Sequence, residues 1–269
     1  MEPHPTDPVP ETIRPRLIIN LGATLSLRFI RPDVANTCAS ASLENGLEPA
    51  LRTALAALPN DPRRFDPQVE CAHSITSVRI TRGLASVEVL NNRIGARQLG
   101  ACIARARQAI RSAPVDMGMT HWEELADLRV AGLAAPVCAC AHGGVEGKRL
   151  QVEVLAAHLP PEQQANLDAA LLACALPLPN KQTLAIIAEG ETHTTKTERE
   201  AGIALLHVAR SGAELAVYQG GHIVALSHFP APQIDPGGFV LEAEIWLKRN
   251  SWDKLRLPHG IRVFDLNSM

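Results

Sequence analysis

Aromatic side chains are scarce, at one tyrosine, five phenylalanines and three tryptophans in 269 residues. Single-strand nucleic-acid platforms stack bases on such rings, so that class of function is poorly supplied. Neither sign of charge is in excess: 26 Lys and Arg face 28 Asp and Glu, a formal net charge of −2. Without a basic surplus to neutralise phosphates, the composition argues against a dedicated nucleic-acid binder. The six cysteines, at positions 38, 71, 102, 138, 140 and 174, are too few and too irregularly spaced for a disulfide scaffold. No run of 18 apolar residues occurs, so no ordinary transmembrane helix and no membrane partner is expected. The start, Met-Glu-Pro-His-Pro-Thr-Asp-Pro-Val-Pro, lacks the basic and apolar regions of a secretory signal. Free thiols in a cytoplasmic compartment are the expectation. Also missing are Gly-x-Gly-x-x-Gly, His-Glu-x-x-His and Gly-x-Ser-x-Gly, each of which would name a chemistry.

What is present is an ordinary globular balance, 46% hydrophobic and 20% charged, with chain enough for one large domain or two small ones. Five prolines in residues 1–15 predict an extended arm. From Arg16 the residues Leu21, Ala23, Leu25, Leu27 and Phe29 alternate with polar ones, which predicts one long half-buried strand. Leucines every three or four residues predict a helix over 41–58, with Pro49 delaying its start or kinking it. Residues 77–81 and 84–90, around Arg82-Gly83, read as a hairpin, and 92–112 as a strong amphipathic helix. Residues 114–147 read as irregular, with a short helix near 121–129 and a turn at Gly143-Gly144.

A second unit follows. Residues 149–155 read as a strand, Pro160-Pro161 opens a helix, and 183–188 is a short buried strand. A polar loop leads to three runs at 203–208, 215–218 and 223–229 that make a meander, with closing strands at 240–247 and 261–266. The fold class expected is α+β, or mixed α/β: two similar-sized units with antiparallel-rich sheets covered by helices. The boundaries are a proline-rich arm at 1–15, an N-terminal unit at 16–113, a connector at 114–147 and a C-terminal unit at 148–269. No residue-by-residue repeat relates the two halves.

Three clusters carry candidate chemistry. Cys138, Cys140 and His142 alternate, so an extended chain would turn all three to one side, and Cys71 and His73 repeat the alternation upstream. Thiolates and imidazoles suit zinc, although the spacing is not that of a zinc finger, and small buried cysteines satisfy the same pattern. His142-Gly143-Gly144-Val-Glu-Gly147-Lys148 has the flavour of a phosphate loop but reads better as a connector. Cys38 is read at the end of the first strand, ahead of a helix whose dipole would favour a thiolate. The loop from Glu191 to Glu198 is dense in hydrogen-bonding groups around His193.

Thr37-Cys38-Ala39-Ser40, together with Glu191, His193, Thr195 and Thr197, resembles the β-ketoacyl synthases of the thiolase-like superfamily. The resemblance implies an acyl-transfer enzyme with Cys38 as acyl acceptor and His193 as a decarboxylation or oxyanion partner. The chain departs from that family in having no Lys-Ser-x-x-Gly-His or Gly-Phe-Gly-Gly motif and only 37 residues before the cysteine.

The third cluster is an arginine face, with Arg93, Arg97, Arg105, Arg107 and Arg111 opposite the apolar side of the 92–112 helix. Such a face fits phosphates or an acidic helix, or is simply solvated. Histidines at 222 and 228 read as surface or satisfied core groups. Ranked together, the features place first a non-catalytic accessory subunit acting through protein partners or homo-oligomer formation, with no required cofactor. Arg93, Arg97 and Arg105 are its candidate contacts. A thiol enzyme using Cys38 and His193 ranks second. A zinc protein using Cys71, His73, Cys138, Cys140 and His142 ranks third.

Overall fold

A computed structural model describes residues 14–22, 24–32, 34–88, 93–112, 120–130, 145–146, 149–209, 212–230, 236–250 and 257–265. The proline arm up to residue 13 and the Cys138–Cys140–His142 cluster lie outside the described residues. The chain is α+β, as its patterning predicts.

The first alternating run makes two strands where one was expected. β1 (Arg16–Leu21) turns at Gly22 into β2 (Thr24–Arg31), so that Leu21 faces Leu25 across a hairpin. β3 (Val34–Ser42) returns antiparallel to β2, so the Thr37–Ser40 segment is strand and not the approach to a helix. α1 (Leu47–Ala57) starts later than the leucine spacing predicts, behind Gly46 at φ 95°, with Pro49 in its first turn where no N–H is needed. It carries the chain over to β4 (Gln68–His73), which runs parallel to β1. A parallel neighbour requires such a crossover.

β5 (Arg79–Glu88) runs straight through Gly83, where a hairpin was expected. The glycine is needed for contact: a Cβ there would stand 2.0 Å from the carbonyl oxygen of Ala106. β6 (Arg93–Ile94) precedes α2 (Ala96–Arg111), the helix expected from its alternation of apolar residues and arginines. Residues expected to be irregular or helical form β7 (Thr120–Val130), which pairs antiparallel with β9 (Arg149–His158); β8 (Val145–Glu146) pairs with β6. The third sheet has the order β5-β9-β7, and α2 packs on β9 through Cys102, Ala106 and Ile110 against Leu150, Val152, Val154 and Ala156.

α3 (Pro161–Ala173) opens on Pro161 and leads to β10 (Lys181–Leu184). Residues 185–188, expected as strand, begin α4 (Ala185–His193), and the expected polar loop is largely helix, continuing as α5 (Lys196–Ala201). The meander is β11 (Ile203–Ala209), β12 (Gly212–Gln219) and β13 (His222–Pro230). Residues 240–247, expected as a strand, lie within α6 (Pro236–Arg249), where Phe239, Ala243 and Leu247 recur every four residues against the sheet. β14 (Ile261–Asp265) closes the order parallel to β11.

The two main sheets repeat one topology. The first has the order β10-β4-β1-β2-β3 and the second β13-β12-β11-β14. In each, a three-stranded antiparallel meander is followed by a helix and a strand parallel to the first of the three. Their burial differs. The first sheet sets Leu17, Ile19, Leu25, Leu27 and Phe29 under α1 and α3. The second is covered on both faces: Ile203, Leu205, Ala216 and Tyr218 pack toward α4 and β9, and Ala204, Leu206, Leu215 and Val217 toward α6. That is why β11 and β12 read as apolar runs broken only by single polar residues such as His207 and Glu214, whereas β2 alternates.

Candidate functional site

Among the described helices α2 divides most sharply into an apolar and a polar face. Its start is fixed by the Gln98 side chain, whose Oε1 accepts from the Gly95 N–H at 2.6 Å. With 3.6 residues per turn, burying Cys102, Ala106 and Ile110 turns Arg97, Ala101, Ala104, Gln108 and Arg111 outward, with Arg105 and Arg107 on the flanks. All seven are exposed. No acidic residue occurs between Glu88 and Asp116, so the helix carries four arginines and no carboxylate of its own. Those four removed, the rest of the chain holds 22 basic against 28 acidic residues. The helix is therefore net positive while the rest of the chain is net negative. The alanines between the guanidinium groups leave the helix backbone open to close approach.

A second polar group lies inside, where the two main sheets meet. Glu214 of β12 is buried and reaches the turn after β4, accepting from the Ser74 hydroxyl and, at 2.8 Å, from the Ile75 N–H. Its other oxygen stands 3.8 Å from Nδ1 of His207, its cross-strand neighbour on β11, which is also buried. Phe264 of β14 lies between two imidazoles, stacked at 5.3 Å on His207 and at 4.8 Å on His193. A serine, a carboxylate and a histidine are thus gathered, but the carboxylate sits between the other two. A hydrolase relay needs the histidine in the middle, so this arrangement fastens the two units rather than activating a nucleophile.

The structure does not bring Cys38 and His193 together. Cys38 is exposed at the centre of β3, one edge of the first sheet, with no helix start beside it. His193 ends α4, which departs from β10 at the opposite edge of that sheet. Four strand spacings of about 4.8 Å separate those edges. Cys71 and His73 do lie together on β4, but each is engaged. Cys71 is in the apolar core, and burial pushes its thiol up to about 12, far from a thiolate ligand at neutral pH. His73 is lowered by burial, and its Nε2 lies 2.8 Å from Gln182 Oε1. Gln182 in turn donates to Gln164, which donates to Asp168 of α3. Among the described residues no group of three or more His, Cys, Asp or Glu side chains is placed to hold a metal ion. Of the three candidate arginines, Arg97 stands on the outer face of α2, Arg105 on its flank, and Arg93 lies in β6 just before it.

Sequence reasoning missed Ser74, His207 and Glu214. Each is a single polar residue within or beside an apolar strand, and only the pairing of strands distant in sequence brings them together. Among the described residues no helix is long and apolar enough to cross a membrane.

No protein-family model matches the chain, and no curated protein matches it. Solved structures do align with it. A PilM-PilN type IV pilus biogenesis complex is 19% identical, covering 89% of this chain and 67% of that one, with a TM-score of 0.49. A Bacteroides thetaiotaomicron protein with an actin-like ATPase fold and unknown function is 9% identical over 96% of this chain and 92% of its own, at a TM-score of 0.46. YeaZ from Pseudomonas aeruginosa is 11% identical over 84% and 73%, at 0.28. At such identities and scores, the likeness carries neither an activity nor a partner over to this chain.

Proposed function

We propose that this chain is a non-catalytic, cytoplasmic accessory subunit that works through protein contacts, with the outer face of α2 as its docking surface for an acidic protein segment. The observation that carries this reading is the presence of four exposed arginines on one helix whose own sequence holds no Asp or Glu, in a chain that is otherwise net acidic. Guanidinium groups pair with carboxylates through two parallel hydrogen bonds, which fixes orientation as well as charge. Each exposed pair contributes only about 0.2–1 kcal/mol. The face therefore acts as a set, steering the partner in and giving salt-dependent binding.

A glutamate-rich helical peptide, labelled for fluorescence anisotropy, is the probe. The wild-type protein is expected to bind it, more weakly as salt rises. Arg97→Glu with Arg105→Glu should weaken binding roughly tenfold or more, since each reversal replaces an attraction by a repulsion and 1.4 kcal/mol is tenfold, while the circular dichroism melt stays unchanged. Equal binding by the double variant, or a preference for a polyphosphate or nucleic-acid competitor, would overturn the reading.

A further inference from the structure

Beyond the arginine face, the free edge of the first sheet is a second contact surface, and its chemistry fits a second copy of this chain. β3 is the last strand in the order β10-β4-β1-β2-β3, with β2 on one side and no strand on the other among the described residues. Exposed edges are usually guarded by charge, proline, bulges or shortness. The other sheet edges among the described residues carry charge or proline or are short. β10 has four residues and begins with Lys181, β14 carries Arg262 and Asp265, and β13 ends in Pro230. β5 and β7 are rich in charged residues, and β6 and β8 have two residues each. β3 is nine residues long, Val-Ala-Asn-Thr-Cys-Ala-Ser-Ala-Ser, with no charge and no proline; its one guard is a register shift against β2 between Val34 and Thr37, which leaves Thr37–Ser42 regular. Asn36, Cys38, Ser40 and Ser42 are exposed, while Ala39 and Ala41 lean into the core under α1.

We infer that two copies of this chain pair antiparallel along β3, about a two-fold axis through Cys38, joining their five-stranded sheets into one of ten. Cys38 is the middle residue of the nine, so the two-fold sets Thr37 opposite Ala39 and Cys38 opposite its mate, with the register shift between Val34 and Thr37 at the margin of the seam. A two-fold interface must be self-complementary, and a strand that carried charge at its centre would face its own charge there. A neutral strand of small residues meets that condition in full. The backbone N–H and C=O groups of the outer edge supply the attraction, and α1, which lies against β3, flanks the seam. A strand pair alone buries less than the roughly 800 Å² per partner of a standard interface, so the dimer is expected to depend on protein concentration.

Residues directly opposite in an antiparallel pair have Cα atoms about 4.5 or 5.5 Å apart, within reach of a disulfide. That gives the test. In a Cys138→Ser, Cys140→Ser background, mild copper-phenanthroline should convert the protein to a covalent dimer. Two Cys38 thiols lose their protons and pass two electrons to the oxidant as the S–S bond forms. Light scattering under reducing conditions should show a dimer that Cys38→Ser retains, since the thiol is not what holds it. Cys38→Lys should be monomeric, because it sets two ammonium groups face to face at the axis, and its circular dichroism should be that of the parent. Arg97→Glu with Arg105→Glu should still dimerise, which separates this surface from α2. A monomer at every concentration with no cross-link, or a Cys38→Lys dimer as tight as the parent, would overturn the inference.

Discussion

Glu198 is held by three groups at once. Arg262 of β14 donates to Oε1 at 2.5 Å, the Thr195 N–H donates to Oε2 at 2.7 Å, and the Thr195 hydroxyl lies 3.0 Å from the same oxygen. Thr195-x-x-Glu198 is a capping box that starts α5, so the polar density that reads as a loop is a helix start. The Arg262 guanidinium and the Thr195 donors hold the Glu198 carboxyl down to about 2, against an ordinary value of 4.5. A carboxyl lowered in the folded state contributes stability that is complete above the ordinary value and is lost as pH falls toward the lowered one. The difference in urea midpoint between wild type and Arg262→Met should therefore be largest above pH 4.5 and close as pH approaches 2. A difference that stays constant across that window would show that Arg262 acts by packing alone. The spacing of this cap stands in the sequence but reads there as part of a loop, and the arginine that completes it comes from 64 residues downstream.

Elements were misread wherever tertiary contact overrode local pattern. Trp122, Leu125 and Leu128 fall three apart, a helical spacing, yet the segment is β7. Its ladder with β9 shifts register between Thr120 and Trp122 and again between Leu125 and Asp127. Such bulges break the period of two by which a strand is recognised. In β5 the opposite happened: Gly83 reads as a turn, but it is a contact point for α2 within one strand. Gly83→Ala should lower the urea midpoint by the equivalent of about 2 kcal/mol or more, because a methyl group there meets first the Ala106 backbone, which cannot swing aside, and then Ile110. A neutral result would mean that α2 slides on β5 without cost. α2 itself was legible, since burying one face and charging the other leaves a helix only one way to lie.

The whole molecule depends on a tie between its two sheets that no local pattern announces. Glu214 of the second sheet accepts from the Ser74 hydroxyl and the Ile75 N–H at the end of β4 in the first. Hydrogen bonds to a charged group contribute about 1.5–3 kcal/mol each. Glu214→Ala should therefore lower stability by roughly 3 kcal/mol, and amide exchange at Ile75 should accelerate more than exchange at Leu51 in the core of the first unit. Equal acceleration at both would mean that the residue supports the fold generally and does not tie the units. By itself, the sequence determined the α+β class, the amphipathic α2 with its arginines, the meander of β11 to β13 and the lack of any complete catalytic motif. These follow from periodicity and composition, which are local. Tertiary structure alone decided that β10 joins the first sheet beside β4, that Cys38 and His193 are kept apart, that Glu214 meets Ser74, and that a neutral strand is left at an edge. Strand order and cross-strand neighbours are set by which apolar faces can be buried together, and that choice is made between segments far apart in the chain.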